Sequence, residues 1–141
     1  MKKKPFKDSD EYSGTRLPAG RDMVSISDQY GIKVALLEIP RILDQQDISE
    51  IRKKLSAMTR EGQASSGFVI DFRKVINMSS SALGMLITIH KRICETGGKL
   101  HLCNINDTIM DLFHITRLDK ILNIDDSLEQ SLSSISESFN T

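Results

Sequence analysis

The sequence predicts an α/β domain with a central, mostly parallel mixed β-sheet of four to five strands, flanked by about four α-helices. Three observations predict it. Two short strand patterns come first, a continuous apolar run follows a long amphipathic helix, and helix and strand patterns then alternate to the C-terminus. Parallel strands joined by right-handed helical crossovers are the expected outcome. At 141 residues, with 39% hydrophobic and 27% charged residues, the chain can bury one core without disulfides or metals.

Residues 1–21 mix Lys2, Lys3, Lys4, Lys7, Arg16 and Arg21 with acids, Ser13, Gly14, Pro18 and Gly20. No apolar period emerges, which predicts a flexible tail, with the domain occupying 22–141. Val24 and Ile26 alternate with serines as in a half-buried strand. Asp28 to Gly31 makes a turn, and Ile32 to Ile39 returns as a second strand stopped by Pro40. Asp44 or Asp47 caps a helix in which Ile48, Ile51, Leu55 and Met58 form one apolar stripe.

After a linker from Gly62 to Gly67, the run Phe68-Val69-Ile70 reads as a strand buried on both faces. Asp71 to Met78 leads from it to Ser79-Ser80-Ser81. A very apolar helix follows from Ala82 to about Thr96, ended by Gly97-Gly98 as a left-handed cap. Leu100 and Leu102 mark another strand, and Asn106 or Asp107 caps a third helix with Ile109, Leu112 and Phe113 inward. Ile121 to Ile124 reads as an edge strand. Asp125-Asp126-Ser127 opens a last helix whose Leu128, Leu132, Ile135 and Phe139 form a stripe.

A net charge of zero and aromatic content of 5% argue against nucleic acid as a partner. No apolar stretch reaches the roughly 20 residues of a membrane span, so membrane insertion is not expected and a cytoplasmic location is. Cys94 and Cys103 lack a CxxC spacing and read as reduced core residues. His90, His101 and His114 read as isolated, without metal-ligand spacing. No Gly-rich phosphate loop or GxSxG elbow is present, so neither catalysis nor a cofactor is expected.

One segment carries more: Met78-Ser79-Ser80-Ser81-Ala82-Leu83-Gly84, where a buried strand gives way to the most apolar helix. Serine is a favoured N-cap, yet three in succession exceed what a cap requires. A helix start also tolerates a phosphate on its first turn. In this context the segment resembles the Met-Asp-Ser-Ser-Gly-Leu-Gly hallmark of the STAS family, specifically the bacterial anti-sigma factor antagonists. The likeness continues through Lys91, Gly97-Gly98-Lys99-Leu100, Cys103-Asn104-Ile105, Leu112-Phe113, Leu118, Ile121 and the helix from Asp126 to Leu132, covering roughly residues 23–139.

The resemblance implies the STAS fold and a partner-switching role. In that family the antagonist binds an anti-sigma factor that is also a serine kinase, freeing a sigma factor. Phosphorylation of the second serine breaks the complex, and a PP2C-type phosphatase restores it. By position the acceptor is Ser81, with Ser80 the alternative, and Ser79, Ser80, Ser81, Ala82 and Gly84 form the partner-binding surface. The other reading is a non-catalytic docking subunit of a transporter or signalling complex. Two positions depart from the family: Ser79 replaces Asp, losing a capping charge, and Ala82 replaces Gly, whose added methyl is expected to narrow access to Ser81.

Overall fold

The computed structural model describes residues 22–61 and 67–139. The predicted tail, most of the 62–67 linker and the Phe139 side chain lie outside the described residues. Twelve short elements follow in order: β1 (Val24–Gln29), β2 (Ile32–Leu37), β3 (Arg41–Ile42), α1 (Gln45–Glu61), β4 (Gly67–Asp71), β5 (Asn77–Met78), α2 (Ser80–Glu95), β6 (Lys99–Cys103), α3 (Asp107–Ile115), a 3-10 turn (Leu118–Lys120), β7 (Asn123–Asp125) and α4 (Leu128–Phe139). The main sheet has the order β1-β2-β4-β6-β7. Only β1 runs antiparallel to its neighbour; β2, β4, β6 and β7 are mutually parallel. Among the described residues this is the expected mixed sheet with four α-helices.

Alternation along the strands sorts the core into two layers. Ala35, Leu37, Phe68, Ile70, Leu100 and Leu102 join a large cluster with Ile51 and Leu55 of α1, Leu86 and Ile89 of α2, and Ile109 and Phe113 of α3. The opposite face, carrying Ile32, Val34, Val69 and Cys103, is covered by Ile135 of α4, with Leu128 and Leu132 partly buried beside it. Because β4 is sandwiched between the layers, Gly67 to Asp71 are all buried. Each fully buried Leu or Ile contributes about 1.5–3 kcal/mol, so three helices on one face supply most of the apolar stabilisation.

The helix boundaries follow local chemistry. Asp44, not Asp47, caps α1: the Gln46 N–H donates to Asp44 Oδ1 at 2.7 Å, while Asp47 is buried. The end of α2 is a Schellman motif, with Gly97 at φ 82, the Gly98 N–H donating to Ile93 O (2.9 Å) and the Gly97 N–H to Cys94 O (3.0 Å). Asn106 caps α3 through Oδ1, which accepts from the Ile109 N–H at 2.8 Å.

Several local expectations change. The strand expected over Ile121 to Ile124 is β7 at Asn123–Asp125, and Ile121 instead closes the 3-10 turn with its side chain exposed. Asp125 therefore belongs to β7, and α4 is capped by Ser127, whose Oγ accepts from the Gln130 N–H at 3.2 Å. A second, two-stranded parallel ladder also forms, β3 with β5, pairing Arg41 with Asn77 and Ile42 with Met78.

Candidate functional site

The serine turn is built by that small ladder. All parallel strands of the main sheet end on the same side, and the loop after β4 meets the loop after β2 there. Pro40 O accepts from the N–H of Ile76 (2.7 Å) and of Asn77 (3.1 Å), and Ile42 O accepts from the Ser79 N–H (3.0 Å). Asn106 Nδ2 donates to Val75 O and Ile76 O at 3.2 and 3.1 Å, tying the start of α3 to the same loop. Lys74 Nζ pairs with Glu38 Oε1 at 2.8 Å.

Asp71 anchors the loop where it leaves β4. Its carboxylate is fully buried. Oδ1 accepts from the Arg73 N–H and Asn104 Nδ2, and Oδ2 from Arg73 Nε and Nη2, all at 2.7–3.0 Å. These hydrogen bonds offset the desolvation of the carboxylate, and the Asp71 hydrogen bond raises the pKa of Arg73. A carboxylate held this way fixes the exit angle of the chain toward the serines.

The three serines have three different environments. Ser79 is the N-cap of α2, its Oγ accepting from the Ala82 N–H at 3.3 Å, so a neutral hydroxyl replaces the family carboxylate in the cap. Ser80 is exposed and makes no side-chain hydrogen bond among the described residues. Ser81 is exposed and its Oγ accepts from Gln45 Nε2 of α1 at 2.9 Å. The helix begins at Ser80, two residues before the expected start.

Two of the other residues grouped with the docking surface separate. Gly84 is exposed, and a Cβ there would meet nothing within 4 Å. Ala82 is fully buried in the main cluster, so it contributes to the core and offers nothing to a partner. Its methyl is packed into the core. Two apolar side chains that the sequence did not single out lie on the strand-neighbour positions of the turn: Leu43, 43% exposed after β3, and Ile76, 53% exposed before β5.

The histidines are not isolated. His101 Nδ1 lies 2.6 Å from Asp125 Oδ2, His114 Nδ1 lies 2.6 Å from Asp119 Oδ2, and His90 sits one helical turn from Cys94 Sγ at 3.6 Å. Burial lowers the pKa of His90. Cys94 is exposed, contrary to the core placement expected for it. Ser131 Oγ donates to Asp125 Oδ2 at 2.7 Å, giving a His–Asp–Ser chain with the acid in the middle. Nucleophilic catalysis needs the histidine against the serine, and Ser131 is fully buried. The chain instead pins α4 and β7 to β6. Among the described residues no group of His, Cys, Asp or Glu is arranged to hold a metal.

A family model described as the STAS domain matches residues 25–131. The chain belongs to the STAS domain family. Solved structures agree with the fold of this STAS domain. It is similar to a putative anti-sigma factor antagonist from Thermotoga maritima at 20% identity and TM-score 0.70, over 81% of this chain and 95% of that one. It is similar to SpoIIAA of Bacillus in the phosphorylated form at 18% identity and TM-score 0.60, over 79% and 98%. A sulfate transporter family protein from Wolinella succinogenes matches at 12% identity and TM-score 0.67, over 82% and 93%. No helix among the described residues is long and apolar enough to cross a membrane.

Proposed function

We propose that this STAS domain is an anti-sigma factor antagonist, acting in the cytoplasm by docking its serine turn onto an anti-sigma factor that is also a serine kinase. The observation that carries the reading is the separation of roles among the serines: Ser79 serves the cap, leaving Ser80 and Ser81 exposed in the first turn of α2. The fold it shares with solved anti-sigma factor antagonists supports it. Ser81 is the acceptor, with Ser80 as the alternative. Its Oγ attacks the γ-phosphorus of kinase-bound ATP. The new O–P bond forms as the bond to the ADP oxygen breaks, and the hydroxyl proton passes to a base of the kinase. A PP2C-type phosphatase hydrolyses the same bond and resets the switch.

The physics of the switch is electrostatic. A phosphoserine brings close to two negative charges into the docking face, where they cost binding through desolvation and repulsion, while the helix start tolerates them. Ser81→Asp therefore weakens binding to the cognate kinase by at least about tenfold, or about 1.4 kcal/mol, with an unchanged fold. Ser81→Ala binds normally and resists phosphorylation, and Ser80→Ala is still modified. Intact mass and affinity measured on the three variants with partner and ATP check this. Phosphorylation of Ser81→Ala at the wild-type rate sinks the acceptor assignment. The likeness to a transporter family protein favours one second reading, a docking subunit without a switch. That reading wins if no variant is modified and Ser81→Asp binds unchanged.

A further inference from the structure

Ser80 and Ser81 are adjacent, both exposed and chemically identical, so the side chains themselves give a kinase or a phosphate no reason to treat them differently. The structure distinguishes them through a residue on another helix. Gln45 opens α1, 36 positions before Ser81, and its side-chain amide donates to Ser81 Oγ at 2.9 Å. The β3–β5 ladder makes the approach possible, because the Ile42–Met78 pairing sets the starts of α1 and α2 side by side. No donor of this kind reaches Ser80 among the described residues.

Two neighbouring side chains are engaged elsewhere. Asp44 is turned back onto the cap of α1, and Ser79 onto the cap of α2. Gln45 carries two amide N–H donors and needs only one for the hydroxyl. When a phosphoryl group replaces the Ser81 hydroxyl proton, Oγ stays and three strong acceptor oxygens are added just beyond it. The amide already aimed at Oγ then faces them.

We propose that Gln45 is the positioning residue of the serine turn: it singles out Ser81 from Ser80, and it holds the phosphoryl group once that group is attached. The proposal rests on reading Ser81 as the modified residue, and it deepens that reading by naming the group that receives the phosphate. It also makes α1 a participant in the switch, since the bond that joins the two helix starts is the one that modification rewires.

The test needs no partner. The full chain is made with phosphoserine at position 81, or at position 80 as control, and the ³¹P resonance is titrated through the second ionisation near pH 6. A donor on the phosphate favours the dianion and lowers the midpoint. In the protein phosphorylated at Ser81, Gln45→Ala raises the midpoint by at least about 0.3 of a pH unit and Gln45→Glu raises it further, while Gln45→Lys returns it to wild type or below. In the protein phosphorylated at Ser80, Gln45→Ala leaves the midpoint unchanged. Equal midpoints for wild type and Gln45→Ala at Ser81 overturn the proposal, as does an equal shift at both serines. Partner affinity of the same phosphorylated proteins is a separate readout. A midpoint shift at Ser81 with undiminished partner binding keeps Gln45 and removes the switching role of the phosphate.

Discussion

Cys103 and Cys94 show how strongly position decides the chemistry of one residue type. Cys103 ends β6 inside the layer under α4, next to the buried Asp71 carboxylate, whereas Cys94 lies exposed on α2. Burial first, and the Asp71 charge second, push the Cys103 thiol from an ordinary 9.0 up to about 12. The thiol is the form that the fold accommodates and the thiolate is the nucleophile, so native protein at pH 8 exposes one reactive sulfur. A thiol reagent should label one equivalent quickly, at Cys94, and the second only on unfolding, which peptide mass mapping checks. The linkage has a definite sign. Between about pH 9 and 12 the folded state keeps the Cys103 proton that the unfolded chain loses, so stability declines with rising pH across that window. Below pH 9 this thiol contributes no pH dependence. Urea melts of wild type and Cys103→Ala at pH 8 and 10.5 measure it, the decline being smaller in the variant.

At the scale of elements, α4 is held against β4 closely enough to forbid a methyl group. A Cβ on Gly67 would lie 2.6 Å from Ile135 Cγ2 and 3.2 Å from Ile32 Cγ1. Gly67→Ala should cost about 1–3 kcal/mol through overpacking, and Ile135→Ala about 2–4 kcal/mol through the cavity it leaves. Combined, the new methyl occupies part of that cavity. The double variant should therefore be more stable than the sum of the two costs implies, by about 1 kcal/mol in a chemical-denaturation cycle. Simple additivity would place α4 farther from the sheet. The elements most legible in the sequence were those with enough residues to show a period: β1, β2, β4, β6 and all four helices. The β3–β5 ladder was not legible, because two residues display no period and its partners are 36 positions apart. The same distance hid Gln45, while the serines themselves were legible because their run coincides with a helix start. The His101–Asp125 contact was hidden because strand register, not sequence spacing, brings those side chains together. Leu43 and Ile76 are hidden for a different reason: an apolar residue in a sequence reads as core unless the backbone turns it outward.

At the scale of the whole molecule, the two ends of the sheet carry different exposed side chains, and the proposed docking of the serine turn can be tested by comparing them. The carboxyl end carries the serine turn with Leu43 and Ile76 exposed beside it, on loops stitched together by Pro40, Ile42 and Asn106. The opposite end carries the β1–β2 turn, where Tyr30 is 90% exposed at φ 58. Exposed apolar side chains contribute little to the stability of a free domain but a great deal to an interface whose centre they occupy. Replacing Leu43 and Ile76 together by serine should thus cost only about 1 kcal/mol of stability per site, since each is about half buried. With the serine turn as the docking face proposed above, the same replacement should weaken partner binding at least about tenfold, because it removes exposed apolar surface from the loops beside that turn. Tyr30→Ser removes a comparable apolar surface from the far end and should leave affinity as it was. Melting temperature and titration calorimetry on the two variants separate the effects. Loss of binding with Tyr30→Ser, and none with the Leu43 and Ile76 pair, would move the docking face to the other end of the sheet. The exposed serines would then be surface residues of a helix start, and the phosphate switch would have no interface to act on.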